Sequence, residues 1–154
     1  MDATLSAGVP VRKSTPADIP GIARLRAEWA AEAGGDTAAD PHFADAFRAW
    51  LAANPRIFFI ADADATLIGM LNLSVFERMP KPGKPASVWV YLANAYVLPA
   101  HRNAGVGGAL VDAAADFARG IGAVRVVTSP SPASKDFYAR HGFEAAAELA
   151  VYRF

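Results

Sequence analysis

Residues 97–110, VLPAHRNAGVGGAL, decide the fold of this chain, because an apolar strand is predicted directly before them and an amphipathic helix begins within them. The first turn of a helix has about four backbone N–H groups without intrahelical partners and a partial positive charge, so it attracts anions. Gly105, Gly107 and Gly108 lack the Cβ atoms that would keep a ligand away from this backbone. The stretch therefore predicts a phosphate site between a strand and a helix.

Two common glycine-rich phosphate motifs do not match this turn. A P-loop has Lys-Ser/Thr after its last glycine, where this chain has Ala109-Leu110, and a dinucleotide fingerprint has glycine at the position of Leu110. The pattern that does match is Arg-x-x-Gly-x-Gly over residues 102–107, preceded by Val97-Leu98-Pro99. It resembles the acyl-CoA pyrophosphate loop of the GNAT superfamily of N-acyltransferases, in which Gln/Arg-x-x-Gly-x-Gly/Ala follows a strand ending in Val-x-Pro. Another phosphate ligand, such as a nucleotide, is the alternative for this turn.

A second segment carries the same resemblance. Residues 131–143, SPASKDFYARHGF, are similar to the family's Asn-x-x-Ala-x-x-Phe-Tyr-x-x-x-Gly-Phe segment, with the Phe-Tyr-x-x-x-Gly-Phe part intact. Ser131 stands in place of the asparagine and Ser134 in place of the alanine. The segment predicts a short helix that ends at Gly142.

The resemblance extends from about residue 11 to residue 154 and implies an α/β (α+β) GNAT fold. We expect a twisted, mainly antiparallel mixed sheet of about six to seven strands, flanked by about four helices and splayed beside Val97 to admit acyl-CoA. Residues 1–8 are expected to be a flexible N-terminus, and residues 9–154 a single domain.

Apolar periodicity and turn residues predict the individual elements. Strands are expected over residues 9–13, 56–61, 66–76, 88–97, 124–128 and 143–154. Helices are expected over residues 16–33, 41–51, 105–119 and 133–141. Prolines at both ends of the first strand favour a sheet edge, and Gly69 inside the third predicts a bulge.

Composition excludes several classes of function. Fifteen basic and fifteen acidic residues give no net charge, so no overall field attracts nucleic acid or an anionic membrane. The absence of cysteine excludes disulfides and a cysteine nucleophile, and it agrees with a cytoplasmic protein. His42, His101 and His141 show no metal-ligand spacing, so no metal is predicted. No apolar run is long enough to span a bilayer.

The resemblance implies acetyl-CoA as cosubstrate. Its pyrophosphate is expected on the glycine turn and its pantetheine arm along backbone N–H groups near Val97 and Leu98, one of which polarises the thioester carbonyl. The residues assigned to binding it are Val97, Leu98, Arg102, Asn103, Ala104, Gly105, Val106, Gly107, Gly108, Ala109 and Ser131.

The resemblance also implies catalytic roles for Tyr138 and Asn94. Tyr138 is at the family's general-acid position, and a phenol with a pKa near about 10 can protonate a thiolate whose thiol has a pKa near about 8.5. The alternative is a tyrosine that only packs with its aromatic neighbours. Relatives often carry glutamate on the central strand, but residues 93–96 here read Ala-Asn-Ala-Tyr. Asn94 is expected to position a water or to satisfy a backbone group at the strand end, and Glu28, Glu32 and Glu77 are the alternative carboxylates.

The function implied is direct transfer of an acetyl group from acetyl-CoA to a primary amine of a small molecule or peptide. The alternative is a sensor module of the same fold that binds acyl-CoA without catalysis. Aromatic residues on the first two helices predict core packing, and in the resemblance the connector between these helices borders the acceptor pocket. Asp36 and Asp40 on that connector are candidate contacts for an amine. Few residues follow Gly142 and the apolar content is high, so a homodimer is expected.

Overall fold

A computed structural model describes residues 4–6, 8–34 and 40–154. Its strands are β1 (Thr4–Ser6), β2 (Val9–Lys13), β3 (Ile57–Ala63), β4 (Thr66–Glu77), β5 (Val88–Val97) and β6 (Ala123–Thr128). Its helices are α1 (Ile19–Glu32), α2 (Phe43–Ala53), α3 (Val106–Gly120) and α4 (Lys135–Arg140). None of the helices in the described ranges is long and apolar enough to cross a membrane.

The six strands form one sheet in sequence order, β1-β2-β3-β4-β5-β6. Neighbouring strands are antiparallel from β1 to β5, and β5 pairs with β6 in parallel through the crossover helix α3. This arrangement confirms the predicted mixed, mainly antiparallel α/β sheet with four helices in the described part of the chain.

Helices on both faces of the sheet explain why β3 and β4 are largely buried on both faces. Successive strand residues point to opposite faces, so Phe58 and Ile60 pack towards α1 while Phe59 and Ala61 pack towards α3. On one face α1 approaches closely, since a Cβ built on Gly21 would lie 2.8 Å from Leu67 Cδ1. Two cores therefore hold β3 and β4 between layers of helix.

The N-terminal strands differ from the predictions. Thr4–Ser6, inside the segment expected to be flexible, pairs antiparallel with β2. Consequently β2 lies between β1 and β3 and is not the edge strand that its prolines suggested. The helix start is as predicted, because Thr15 precedes a 3₁₀ turn at Pro16–Asp18 that leads into α1, and Thr15 N–H donates to Asp18 Oδ2 at 2.7 Å.

The C-terminal end also differs. The final strand predicted over residues 143–154 is wrong, because these residues contain no strand and most of them are exposed. Residues 144–150, EAAAELA, are rich in alanine and glutamate, which are poor strand formers. As a result β6 is an edge strand among the described residues, and its Val124 is 53% exposed.

Candidate active site

An irregularity in the central strand opens the sheet. Between β4 and β5 the register runs from Met70↔Tyr96 to Asn72↔Ala93, so β5 has one extra residue and bulges there. Asn94 lies in this bulge with φ of 54°, a left-handed conformation that asparagine tolerates better than most residues. Pairing between β5 and β6 ends at Leu92↔Thr128, although β5 continues along β4 to Val97. The two strands therefore part before Val97, as predicted, and a cleft lies between them.

Backbone hydrogen bonds distinguish Val97 from Leu98. Leu98 N–H donates to Ile68 O on β4 at 2.9 Å, so it is not available to a ligand in the cleft. Because backbone groups alternate in direction along a strand, those of Val97 face away from β4 and towards the cleft. Arg102 Nε donates to Val97 O at 2.9 Å from that side. Of the two predicted backbone donors, only Val97 faces the cleft.

The glycine turn places the N-terminus of α3 beside the same cleft. Gly105 is the N-cap residue with φ of 83°, which glycine adopts without steric cost. The first helical bond runs from Ala109 N–H to Gly105 O at 3.0 Å. The N–H groups of the preceding residues in the first turn thus have no intrahelical partner, and this is the arrangement that binds phosphate.

Gly107 and Gly108 also have a packing role that the sequence did not indicate. A Cβ on Gly107 would lie 3.3 Å from Phe137 Cζ, and one on Gly108 would lie 2.6 Å from His141 Cε1. The absence of these two methyl groups lets α4 pack against the first turn of α3. His141 thereby reaches the cleft.

The cleft has a volume of about 1090 Å³. It is bordered by the following residues assigned to catalysis or cosubstrate binding from the sequence: Asn94, Val97, Arg102, Asn103, Gly105, Gly107, Gly108, Ser131 and Tyr138. Leu98 and Ala104 are not among its lining residues. Val106 and Ala109 are buried in the core beneath α3, at 3% and 1% exposure, and so contribute packing there.

Arg102 makes contacts that its place in the motif did not predict. Its guanidinium forms a bidentate pair with Glu32 at the end of α1, with Nη1–Oε1 at 2.7 Å and Nη2–Oε2 at 2.8 Å. Tyr96 Oη donates to Glu32 Oε2 at 2.8 Å. Arg102 lowers the pKa of Glu32, while burial and Glu32 raise the pKa of Tyr96 to about 12. The network fixes the glycine turn to α1 and keeps Glu32 ionised.

Tyr138 packs with its aromatic neighbours and also borders the large cleft. It is 7% exposed and packs edge-on against Phe143, with ring centroids 5.3 Å apart, yet it also borders the cleft. Burial raises the pKa of Tyr138, so the phenol keeps its proton at neutral pH. It is a protonated hydroxyl held in a fixed position by its aromatic neighbours.

A second, smaller cavity of about 330 Å³ lies beside the bulge, between α1, α2 and the sheet. It is largely apolar and includes side chains from α1, α2, β3 and β4: Ile22, Phe43, Ala46, Phe47, Trp50, Phe58 and Met70. Its polar lining comes from Arg26, Asn72 and Asn94, and Asn94 is shared with the large cleft. Asn72 Nδ2 donates to Asn94 Oδ1 at 2.8 Å. The two cavities therefore meet at Asn94.

Comparison with known proteins identifies the family. The family model described as the acetyltransferase (GNAT) family matches residues 22–143. This protein belongs to the GNAT acetyltransferase family. The match includes both segments that carried the resemblance, since it runs through the glycine turn and ends at Phe143. A search of curated proteins by sequence found no match.

Solved structures share the GNAT fold along nearly the whole chain. A predicted acetyltransferase with acetyl-CoA from Clostridium acetobutylicum is 19% identical, with a TM-score of 0.72 over 94% of this chain and 96% of the other. An aminoglycoside acetyltransferase from an uncultured soil metagenomic sample, in complex with sisomicin, is 17% identical, with a TM-score of 0.75 and 95% of each chain covered. A GCN5-related N-acetyltransferase from Ralstonia eutropha is 29% identical, with a TM-score of 0.68 over 95% of this chain and 99% of the other.

The carboxylates that the sequence offered as catalytic or amine-binding candidates differ in whether they border the two cavities of this GNAT domain. Glu32 borders the large cleft, whereas Glu28 lines neither cavity. Glu77 pairs with Val88 at the start of β5, which is about 30 Å along the strand from Val97, so it cannot serve this site. Asp40 is exposed and lines neither cavity, and Asp36 lies outside the described residues. Among the described residues, no group of three or more His, Asp or Glu side chains could hold a metal ion.

Several residues that shape the site were missed by sequence reasoning. Asn72 is a lone polar residue in the apolar run of β4 and is 3% exposed, and that isolation was the available signal. Tyr96 and His141 gave no such signal, because their contacts are with residues distant in the sequence.

Proposed function

We propose that this GNAT protein is an N-acetyltransferase that transfers the acetyl group of acetyl-CoA directly to a primary amine. The observation that carries the proposal is that two cavities meet at Asn94, one bordered by a helix N-terminus and a protonated tyrosine, the other apolar and closed by α1 and α2. Two substrates, one in each cavity, can therefore approach each other at the bulge of β5.

The chain's own groups fit acetyl-CoA as cosubstrate. The unpaired N–H groups of the first turn of α3, with the partial charge of that helix end, suit the pyrophosphate. Val97 offers its backbone to the pantetheine arm along the edge that β6 leaves open. When bound, acetyl-CoA supplies an acetyl group activated as a thioester. The cleft has room for an extended ligand, since its volume is about 1090 Å³.

Tyr138 is proposed as the general acid. As the amine nitrogen forms its bond to the acetyl carbon, the carbon–sulfur bond breaks and the departing thiolate accepts the proton of Tyr138 Oη. Burial raises the pKa of Tyr138, so the proton is present at neutral pH. The tyrosinate is then reprotonated from solvent. With no cysteine in the chain, transfer is direct and involves no acyl-cysteine.

The attacking amine has to lose a proton first. At neutral pH an alkylamine with a pKa near about 10.4 is mostly protonated, a handicap of about 4 kcal/mol unless the site removes the proton. No carboxylate from the described residues lines both cavities, and Glu32 is engaged by Arg102. We propose that Asn94 holds a water that carries the proton to solvent.

Substitution of Tyr138 tests the proposal. Tyr138→Phe removes the acidic proton but keeps the aromatic packing, so we expect kcat to fall by about 10²-fold or more. Acetyl-CoA affinity, measured by calorimetric titration, is expected to stay unchanged. Free-thiol release over a panel of amines reports turnover. Binding of acetyl-CoA without thiol release from any amine would favour the sensor function, and absence of binding would refute the assignment of the cleft.

We also propose that the protein forms a homodimer through its C-terminal segment. Val151, Tyr152 and Phe154 are 72%, 83% and 115% exposed, an unusual concentration of large apolar side chains in contact with water. The edge of β6 is unpaired among the described residues and carries the exposed Val124. Light scattering of the full chain and of Tyr152→Ser tests this: a dimer mass lost or weakened in the variant supports it, and a monomer mass at all concentrations contradicts it.

A further inference from the structure

The smaller cavity has the properties of a site for one apolar group. Its floor is core, since Ile22, Phe58 and Met70 are 1%, 4% and 1% exposed. Its outer wall is α2, where Phe47 contacts Phe58 edge-on at 6.5 Å between ring centroids and lies 6.3 Å from the ring of Trp50. A volume of about 330 Å³ suits a small ligand of one ring and a short chain.

One buried polar atom in this cavity lacks a partner. Asn72 lines the cavity and is 3% exposed, and its Nδ2 group is already engaged by Asn94. Its Oδ1 atom is buried without a hydrogen-bond partner in the described structure. An unsatisfied buried acceptor costs about 1–3 kcal/mol, so a ligand that brings an N–H donor to this atom gains affinity. The atom lies next to Asn94, where the two cavities meet.

The charge of the lining opposes a second ammonium group. Arg26 is the charged residue that lines the cavity, and its guanidinium stacks on Trp29 at 4.8 Å from the ring centroid. No carboxylate of the described residues lines it. A polycation would have to bury its further ammonium groups in a largely apolar cavity that supplies no carboxylate among its described lining residues, or place them beside the like charge of Arg26, and the lost hydration or the repulsion is unfavourable. The solved aminoglycoside acetyltransferase in complex with sisomicin therefore does not predict the acceptor of this chain.

From these observations we propose that the acetyl acceptor is a monoamine attached to an aromatic or bulky aliphatic group, with its N–H on Asn72 Oδ1 and its hydrocarbon among the side chains of α2. The identification of this ligand as the acceptor rests on the proposed N-acetyltransferase function. Binding of the amine itself requires only the cavity.

Binding measurements test the cavity independently of catalysis. We expect phenethylamine to bind the full chain in calorimetric titration at least about tenfold more tightly than spermidine, because only the former places its charge at one end. Phenethyltrimethylammonium keeps the ring and the charge but has no N–H donor, so we expect it to bind about tenfold more weakly than phenethylamine. Equal or tighter binding of spermidine would overturn the proposal, and so would equal binding of the trimethylated compound.

Two aromatic variants provide the matched comparison. Trp50 lines the cavity at 43% exposure, whereas Phe76 is 44% exposed at the far end of β4 and lines neither cavity. Trp50→Ala is expected to weaken phenethylamine binding by about tenfold, while Phe76→Ala leaves it unchanged. Acetyl-CoA affinity serves as the folding control and is expected to be the same in both variants. Equal effects of the two substitutions on phenethylamine would overturn the proposal.

Turnover separates this inference from the proposed function. Thiol release with phenethylamine at a kcat/KM at least about tenfold above that with spermidine supports both. Faster turnover of spermidine or of an aminoglycoside keeps the N-acetyltransferase function and overturns the monoamine acceptor. Amine binding without thiol release from any amine keeps the cavity assignment and overturns the acetyltransferase function.

Discussion

Gly108→Ala tests whether the glycines of the turn are required for packing or only for a ligand. The new Cβ would lie 2.6 Å from His141 Cε1 and 3.1 Å from Nε2. An ordinary carbon contact is about 3.5–4.0 Å, so the overlap is about 1 Å and the His141 ring has to move. Overpacking of this kind costs about 1–3 kcal/mol. Replacing glycine by alanine inside a helix returns about 0.5–1 kcal/mol.

We therefore expect Gly108→Ala to lower the free energy of unfolding by about 1 kcal/mol in the natural background. In a His141→Ala background the overlap is absent, so the same substitution is expected to raise stability by about 0.5–1 kcal/mol. The difference is a coupling energy of about 1–3 kcal/mol between the two positions.

Urea unfolding of the natural chain, the two single variants and the double variant measures this coupling. Gly120→Ala is the matched control on the same helix, because a Cβ there meets nothing within 4 Å. We expect it to have the same small effect in both backgrounds. If Gly108→Ala changes stability equally with and without His141, the packing role of Gly108 is refuted.

Two further predictions concern charge and backbone conformation. Asp18 is paired with Arg12 at 2.8 Å, which lowers the pKa of Asp18 from 3.8 to about 2. The stabilisation from this ion pair is thus complete above about pH 4 and is lost as the pH falls towards 2. Because the Arg12 side chain is 38% exposed, we expect the pair to contribute about 1 kcal/mol to the free energy of unfolding. The stability difference between the natural chain and Asp18→Asn should shrink over this interval in urea titrations, and a constant difference would contradict the pairing. Gly105→Ala forces a Cβ onto a φ of 83°, so we expect a loss of about 1–2 kcal/mol in unfolding and weaker acetyl-CoA binding, and unchanged values of both would contradict the assigned N-cap geometry.

The local secondary structure around the glycine turn could be predicted from the sequence. A strand, a glycine turn and a helix follow from residues 88–120 because strand propensity, the freedom of Gly105 and helical periodicity all act over a few residues. The bulge next to Gly69 was predicted for the same reason, and the β3–β4 register shifts there, between Ala61 and Asp62. These features depend on neighbours in the sequence, so the sequence is enough to identify them.

Which strands lie at the edges of the sheet could not be predicted from local sequence. Whether β2 is at an edge depends on a partner strand, and Thr4–Ser6 supplies it from a segment without strong strand propensity. Conversely, residues 143–154 contain apolar side chains but form no strand in the described structure. Pairing is decided by which strands the tertiary fold brings alongside each other, and local propensity alone does not determine this.

The sequence by itself determined the family, the glycine turn at the start of α3 and the aromatic helix after Asp40. Only the tertiary structure decided that Arg102 pairs with Glu32, that Gly108 accommodates His141 and that Asn72 meets Asn94 between two cavities. In each case the partners are distant in the sequence and meet because α1, α4 and β4 pack around the bulge of β5. Side-chain contacts of this kind depend on the packing of whole elements, which is why the smaller cavity emerges from the fold and not from any motif.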